Sequence, residues 1–360
     1  TPTDVSITDN EISNVLSDPS SELFGVGAGV EASGADDVSF SGNNISNAEL
    51  LLEDKTATLT LRNFADNNTL DRGALVEDVD VDGDSRNIIF NSIQDAEAAA
   101  ESDTTIEVLE GTYEESVDIS TDGLTLEGAD GASSTIIGQS SVAVTSTTPN
   151  VEIADLRIEN PDGSRAVRVT DDATDVVIQD NTVTNVNTGN DATQPRGILV
   201  SGLDGGDSAD GLEIRNNTVD TVRGTGGNAD QTIGIQILEE SNGGGLIENV
   251  VVDGNTVTDL LDNRSSQGIN FNGNIEGDIT NNSISTLNTD RPGADLGFTQ
   301  AIALNAGGNA GSAPQNVDIS GNSISNLDDQ TPSSESFRAT HIILSSVDDV
   351  ATIDITNNEF

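Results

Sequence analysis

The stretch "GINFNGNIEGDITNNSIS" (residues 268–285) contains short segments in which apolar and polar residues alternate, separated by glycine and asparagine. Alternation with period two predicts β-strands, because successive side chains of a strand point to opposite faces. Its segment "ITNNSI" (279–284) has a simple frame: an apolar residue, two variable residues, asparagine, one variable residue and a second apolar residue. The same frame recurs along the whole chain.

The frame occurs eight times. Its copies are "ITDNEI" (7–12), "FSGNNI" (40–45), "IQDNTV" (178–183), "IRNNTV" (214–219), "VDGNTV" (252–257), "ITNNSI" (279–284), "ISGNSI" (319–324) and "ITNNEF" (355–360). Neighbouring copies lie 27 to 40 residues apart, except across the gap between Asn43 and Asn181. Strand phrases such as "GILVS" (197–201) lie between them. Short strands at this spacing predict an all-β fold, a right-handed parallel β-helix (solenoid) in which each repeat forms one coil.

The asparagine of the frame has a structural explanation. The corner between two strands requires a left-handed or bridging backbone conformation, which asparagine tolerates better than other non-glycine residues. Coils stacked about 4.8 Å apart would bring these amides into a ladder in which each donates to the next. We therefore expect the asparagine column to stabilise the fold and not to bind a ligand.

Residues 86–129 differ from the repeats and read "RNIIFNSIQDAEAAAESDTTIEVLEGTYEESVDISTDGLTLEGA". Helix-forming residues predict one short N-terminal capping helix near 93–102, which would cover the apolar end of a solenoid. The segment resembles the start of pectin-lyase-like right-handed parallel β-helix proteins, in particular their haloarchaeal secreted and surface members. That resemblance implies the fold but no single activity, because the family includes lyases, hydrolases, epimerases and structural proteins.

A capping helix in the middle of the chain predicts three parts. Residues 1–70 would be the closing coils of a preceding β-helix, 71–87 an acidic junction or linker, and 88–360 a second β-helix domain truncated before its last coils. The phrases "SDPSSELFG" (17–25) and "QTPSSESFR" (330–338) are near copies 313 residues apart. This echo predicts a tandem-repeat parent protein, so we expect self-association or contacts with neighbouring repeats of the same protein.

The net charge of −50, from 63 acidic and 13 basic residues, is typical of a halophilic protein. At molar salt the Debye length falls to about 3 Å, so the self-repulsion of such a chain is largely screened. This charge makes nucleic acids and anionic membranes poor partners, and no apolar run is long enough to insert into a membrane. Together with the resemblance, this predicts an extracellular or cell-surface protein, with surface glycans or other cells as further candidate partners.

The segment "DVDVDGDSRNII" (78–89) is the candidate metal site. Asp78, Asp80, Asp82 and Asp84 place oxygen ligands at alternate positions around Gly83, as in the first half of an EF-hand loop. The twelfth position is Ile89, where such a loop carries a bidentate glutamate. The pattern predicts a stabilising Ca²⁺, the alternative being a plain acidic linker, and no other cofactor is expected.

Five N-x-S/T sequons are candidate glycosylation sites, although several would arise by chance in a chain this rich in asparagine, serine and threonine. They begin at Asn44, Asn67, Asn216, Asn263 and Asn281.

Catalytic candidates are few. The pair Asp171 and Asp172 is typical of a solvated turn, and His341, the single histidine, fits a strand position. Lyase chemistry that uses an arginine base among acidic Ca²⁺ ligands stays open, because several arginines lie in acidic coils. They are Arg165, Arg168, Arg196, Arg215 and Arg223.

The sequence favours a non-enzymatic structural or adhesive protein: a rigid, salt-adapted β-helical rod or filament segment of a tandem-repeat haloarchaeal surface protein. Two alternatives stay open. One is a polysaccharide-active enzyme of the lyase or hydrolase type on the same scaffold. The other is a haloviral tail-fibre or receptor-binding protein, since long loops such as "SGLDGGDSADG" (201–211) would suit contacts with a partner.

Overall fold

The computed structural model describes most of the chain. The described residues are 5–15, 28–32, 38–48, 50–55, 60–81, 83–129, 133–170, 173–188, 194–202, 210–224, 231–239, 246–262, 265–289, 298–306, 313–329, 338–345 and 352–360. The chain divides into two compact units, Thr1–Tyr113 with Thr121–Thr135, and Glu114–Ser120 with Ile136–Phe360. This division differs from the three parts expected from the sequence.

The elements of the first third of the chain are β1 (Val5–Thr8), β2 (Glu11–Val15), β3 (Ala28–Ala32), β4 (Val38–Ser41), β5 (Asn44–Ala48), β6 (Leu50–Asp54), α1 (Leu61–Asn67), β7 (Thr69–Leu70), β8 (Ala74–Val81), β9 (Asp84–Phe90), α2 (Ile93–Ala99), β10 (Thr105–Val108), β11 (Gly111–Tyr113), β12 (Val117–Ile119) and β13 (Thr125–Gly128). The rest are strands: β14 (Ser134–Ile137), β15 (Val142–Ser146), β16 (Glu152–Ala154), β17 (Arg157–Asn160), β18 (Arg165–Val169), β19 (Val177–Gln179), β20 (Thr182–Val186), β21 (Arg196–Gly202), β22 (Glu213–Arg215), β23 (Thr218–Val219), β24 (Val222–Gly224), β25 (Thr232–Glu239), β26 (Ile247–Asp253), β27 (Thr256–Asp262), β28 (Ser265–Asn272), β29 (Ile275–Thr280), β30 (Ser283–Thr289), β31 (Phe298–Asn305), β32 (Val317–Ser320), β33 (Ser323–Asp329), β34 (Arg338–Ser345) and β35 (Ile353–Thr356).

The second unit is built from three parallel sheets. The first sheet has the order β16-β19-β22-β26-β29-β32-β35, the second runs from β17 through β20, β23, β27 and β30 to β33, and the third has the order β12-β15-β18-β21-β25-β28-β31-β34. Each coil contributes one strand to each sheet, so the chain winds around a common core. The prediction of an all-β parallel β-helix is confirmed.

Columns of identical residue types form the core of the second unit. Ile235, Ile269 and Ile302 are partners in adjacent strands of the third sheet, and all three are fully buried. Burying an isoleucine or leucine side chain contributes about 1.5–3 kcal/mol, so a column of this kind holds consecutive coils in register.

The asparagine ladder forms as predicted. In the second unit Asn181 Nδ2 donates to Asn217 Oδ1 (3.1 Å), and the pattern continues through Asn255, Asn282 and Asn322 to Asn358. The left-handed residue, however, is the one before the ladder asparagine. Its positions include Asp180, Asn216, Gly254, Asn281, Gly321 and Asn357, with φ between 53° and 68°. The turn therefore uses two adjacent residues for two tasks, one for the backbone and one for the ladder.

The first unit begins with two stacked coils. β1 pairs with β4, β2 with β5, and β3 with β6, all in parallel. Helix α1 follows, where coils were expected from the sequence. Asn68, directly after this helix, accepts from Asn43 Nδ2 (2.8 Å) and donates to Phe64 O (2.7 Å). Asn68 therefore ends this ladder at the C-terminus of a helix, and Phe64 packs edge-on against Phe40 with ring centres 5.3 Å apart.

Residues 71–87 form most of an antiparallel hairpin in place of the predicted linker. β8 pairs with β9, which also pairs with β6, while β8 pairs with β10 on its other side. Val76, Val79 and Val81 are buried between the acidic residues that suggested a linker, and Gly83 takes a φ of 87° at the turn. The apolar alternation therefore determines the structure here, and the acidic side chains lie on its exposed positions.

Helix α2 confirms the predicted capping helix, with bounds shorter than 93–102. Ser92 caps it by accepting from Asp95 N (3.2 Å). Glu97 is buried and accepts from both the backbone N and the Oγ1 of Thr121 (3.1 Å each). These bonds fasten the helix to the first unit. Among the described residues, neither helix has the length and apolarity needed to span a bilayer.

Candidate functional site

The third sheet carries an unusual row of polar side chains. Along β25 and β28 the core residues Ile235, Ile237 and Ile269 alternate with Gln236 and Asn270, so these amides lie on the face opposite the core. We call the outward polar set on this sheet the amide face. It consists of Arg196, Gln236, Gln267, Asn270 and Gln300.

Glycines fix the orientation of these strands. A Cβ built on Gly234 would lie 2.4 Å from Val257 Cγ1, and one built on Gly268 would lie 2.7 Å from Ile284 Cγ2. Because Val257 and Ile284 belong to the core, these two positions face inward and admit only glycine. Gln267, directly before the inward-facing Gly268, is thereby held outward.

The amide face is buried although it faces away from the core. Arg196, Gln236 and Gln267 are each 4% exposed, and Asn270 is 1% exposed. Arg196 Nε donates to Gln236 Oε1 (2.6 Å), and Gln236 Nε2 donates to Asn270 Oδ1 (3.1 Å). Burying a charged group and two amides in one network costs free energy unless every polar group is paired.

Arg196 is the electrostatic centre of this face. Its terminal nitrogen NH1 donates to the carbonyl oxygens of Pro195 (3.0 Å) and Gln231 (2.7 Å). Burial, and then repulsion from Arg165 at the paired position of β18, lower the pKa of Arg196 to about 9, while attraction to Asp262 opposes this shift. Two arginines therefore meet here in a chain with a net charge of −50.

Asp262 and Gln267 add acceptors. Asp262 is fully buried and accepts from Thr232 Oγ1 (2.7 Å) and Ser265 N (3.0 Å). Gln267 Nε2 donates to Gln300 Oε1, but Gln267 Oε1 accepts no hydrogen bond from any described residue although it is buried. An unmet buried acceptor costs about 1–3 kcal/mol. The face thus offers guanidinium, amide and carboxylate groups, a set that recognises sugar hydroxyls and acidic substituents.

The sequence had indicated part of this face. Arg165 and Arg196 pair in adjacent strands, and Arg168 Nε donates to Ser201 Oγ (3.2 Å) on the same sheet. Arg215 and Arg223 belong elsewhere, in surface ion pairs with Glu213 and Asp259. The amides were missed because outward glutamine and asparagine are ordinary in strands, and only the register between strands shows that they meet.

The other catalytic candidates do not join this face. His341 lies in β34, as expected for a strand residue, and its exposed ring packs in a tilted geometry against Phe360, with ring centres 5.0 Å apart. Asp171 and Asp172 lie outside the described residues.

The candidate calcium residues lie in and beside the hairpin β8–β9. Asp80 Oδ1 accepts from Gly83 N (2.7 Å), and Asp78 Oδ1 accepts from Ser85 Oγ (2.8 Å). Asp84 starts β9, and Asp82 lies outside the described residues. Within the part of the chain that is described, no group of three acidic, histidine or cysteine side chains is arranged to hold a metal. Calcium binding here stays a prediction.

Four of the five sequon asparagines are described, and all four are exposed. Asn44 lies in β5, Asn67 is the last residue of α1, and Asn216 and Asn281 are left-handed turn residues directly before ladder asparagines. Asn263 lies outside the described residues.

Comparison with known proteins finds similarity to solved structures only. No family model matches the chain, and no curated protein matches it. Solved structures that match include pectin methylesterases. One, crystallised as a variant in complex with a hexasaccharide, is 14% identical with a TM-score of 0.32, covering 73% of this chain and 88% of its own. The enzyme from Yersinia enterocolitica is 13% identical with a TM-score of 0.30 (73% and 94%), and one from Aspergillus niger is 13% identical with a TM-score of 0.27 (71% and 82%).

At these identities and TM-scores the matches add nothing beyond the fold, the parallel β-helix that the sheets of the second unit themselves show. One expectation is nevertheless corrected. The sequence favoured a non-enzymatic structural or adhesive protein, whereas the matching structures are enzymes named for a polysaccharide substrate. That expectation was wrong because repeats and charge describe the scaffold and its solvent, and neither bears on the chemistry of one sheet face.

Proposed function

We propose that this chain is a polysaccharide-active enzyme and that the amide face is the floor of its sugar-binding site. The observation that carries the proposal is the buried network of Arg196, Gln236 and Asn270 beside the unmet acceptor Gln267 Oε1. Buried polar groups of this kind are kept where they fix the orientation of a ligand.

The geometry suits a polymer. Paired residues of adjacent strands repeat about every 4.8 Å along the β-helix, so a chain of sugars lying along the third sheet would pass Arg196, Gln236 and Asn270 on successive coils. Arg196 with Arg165 would attract an acidic substituent, and the amides would bind hydroxyl groups. Asp262 is the nearby carboxylate whose position favours it as a candidate proton acceptor.

We also propose that the enzyme works outside the cell in concentrated salt and comes from a haloarchaeal source. The chain has 63 acidic and only 13 basic residues, which supports an origin in concentrated salt, since such a surface keeps a protein hydrated in brine. An acidic polysaccharide would otherwise be repelled, and screening at molar salt removes that barrier.

The test is an assay of the whole chain in molar NaCl on a panel of acidic, methyl-esterified and neutral polysaccharides, following new reducing ends, unsaturated ends and released methanol. We expect turnover on one class, with a loss of 10-fold or more in Gln267→Ala and Arg196→Gln. Arg157→Gln, which alters a surface ion pair with Glu159, should keep full activity. Failure of every substrate, or equal activity in Gln267→Ala and Arg157→Gln, would overturn the proposal.

A further inference from the structure

Two of the exposed sequons occupy equivalent places in the fold. Asn216 and Asn281 both follow a strand of the first sheet, both take a φ of 54°, and each precedes a ladder asparagine. In both, the next coil carries glycine at the stacked turn position, Gly254 beside Asn216 and Gly321 beside Asn281. Their sequons are also near identical, "NNT" (216–218) and "NNS" (281–283).

The two amides differ in one contact. Asn281 Nδ2 donates to Asp253 Oδ1 (2.8 Å), an oxygen that also accepts from Thr280 Oγ1 (2.6 Å). Asn216 Nδ2 makes no hydrogen bond with any described residue. The reason lies one coil earlier: Asp253 pairs with Thr280, whereas the residue that pairs with Arg215 is Gln179.

Gln179 reaches instead to Glu152, where its Nε2 donates to Glu152 Oε1 (2.6 Å), and its Oε1 accepts no hydrogen bond from Asn216. Asn216 is therefore an exposed asparagine on a corner of the β-helix whose side-chain nitrogen is free to react. The remaining described sequons are less suitable. Asn67 Nδ2 donates to Asn63 O (2.8 Å), and Asn44 lies within a strand that is paired on both sides.

We propose that Asn216 is an N-glycosylation site of the folded protein and that Asp253 suppresses the same modification at Asn281. The donor would be an oligosaccharide carried on a lipid diphosphate. Asn216 Nδ2 bonds to the anomeric carbon as the bond from that carbon to the diphosphate oxygen breaks, and one Nδ2 proton passes to a base of the transferase. The diphosphate leaves as the anion, so the step needs no oxidant or reductant.

The experiment incubates the folded whole chain with a lipid-linked oligosaccharide and an oligosaccharyltransferase that accepts N-x-S/T, and measures occupancy by glycopeptide mass spectrometry. Ser283→Thr first makes both sequons "NNT". In that background we expect at least fivefold higher occupancy at Asn216 than at Asn281. Asp253→Ala should raise occupancy at Asn281 several-fold and leave Asn216 unchanged.

Asp253→Asn is the matched control, because it keeps an acceptor oxygen for Asn281 Nδ2 and should keep occupancy there low. Circular dichroism checks that each variant is folded, and urea-unfolded protein shows that both sequons are acceptable to the enzyme. The proposal is overturned if folded protein is unmodified at Asn216 while unfolded protein is modified. It is overturned equally if Asn281 matches Asn216 and does not respond to Asp253→Ala.

Discussion

Each ladder asparagine forms hydrogen bonds with backbone groups of neighbouring coils as well as with the other ladder amides. Asn255 is fully buried; its Nδ2 donates to Ile214 O (2.8 Å) and Asn282 Oδ1 (3.0 Å), and its Oδ1 accepts from the backbone N (2.9 Å) and Nδ2 (3.1 Å) of Asn217. One side chain thus satisfies donors and acceptors on three coils. Its loss leaves buried groups unpaired on both sides.

Asn255→Ala should therefore destabilise the protein by about 3 kcal/mol or more, since each buried group left without a partner costs about 1–3 kcal/mol. Asn10→Ala is the control, because Asn10 is exposed and its ladder contact is with Asn43 on one side. We expect it to cost less than about 1 kcal/mol. Urea unfolding in molar NaCl measures both, and equal losses would show that the ladder adds nothing beyond the backbone bonds.

Arg196 gives the stability an alkaline pH dependence. Its pKa falls from the ordinary arginine value to about 9 in the folded protein, so between these two values the unfolded chain binds more protons. Stability should therefore rise with pH in this window, by at most about 1.4 kcal/mol per pH unit. Arg196→Gln should lack the rise, and Arg165→Gln should shift it to higher pH by removing the neighbouring charge. Unfolding curves from pH 8 to 12 test this, and parallel curves for wild type and Arg196→Gln would contradict it.

The individual residues differ in how well the sequence predicts their roles. The asparagine column was predictable because its spacing repeats and one physical role explains it. The amide face was not, because Gln236 and Asn270 acquire meaning only when the strand register places them beside Arg196. The left-handed position was assigned one residue late, since Asn-Asn pairs such as Asn216 and Asn217 offer the same residue type for both tasks.

At the scale of elements, hairpin β8–β9 shows how composition can conceal a strand. Its acidic residues suggested a linker, yet the buried valines between them follow the strand period. Helix α1 was missed because its sequence carries no signal for a helix start. Its sequence "LRNFADN" (61–67) follows strand-like residues without a capping side chain, so no local signal marks where the helix begins.

The first sheet carries a column of like charges on adjacent strands. Asp278 pairs with Asp318, and Asp318 pairs with Asp354. Desolvation, and then the charge of Asp318, raise the pKa of Asp278. The folded state therefore holds its proton to a higher pH than the unfolded state, and the ionised column costs stability above that raised pKa.

Asp318→Asn removes two of these repulsions and Asp354→Asn removes one. We expect both to stabilise the protein at neutral pH, by about 0.2–1 kcal/mol per like-charge pair, with Asp318→Asn the larger. The gain should vanish in molar NaCl and at pH values where the carboxylates are protonated. Glu213→Gln is the control, because Glu213 is paired with Arg215 and its loss should not stabilise. Thermal unfolding at the lowest salt that keeps the chain folded decides; a gain that persists in molar salt would argue against charge repulsion.

At the scale of the whole molecule, the net charge of −50 sets the solvent in which the fold is stable. The β-helix core gains stability coil by coil, but the acidic side chains repel one another over the Debye length, about 30 Å at 0.01 M salt and about 3 Å at 1 M. Repulsion between carboxylates thus reaches across several coils in dilute buffer, whereas in molar salt it is screened within the spacing of adjacent coils.

We expect the strand signal in circular dichroism to disappear below a few hundred millimolar NaCl and to return on adding salt. Because screening depends on ionic strength, KCl should act as NaCl does, whereas sucrose, which strengthens apolar burial without screening, should restore much less. A spectrum that stays unchanged at 0.01 M salt would mean that the packed core outweighs the repulsion, and that the acidic surface does not make folding depend on high salt.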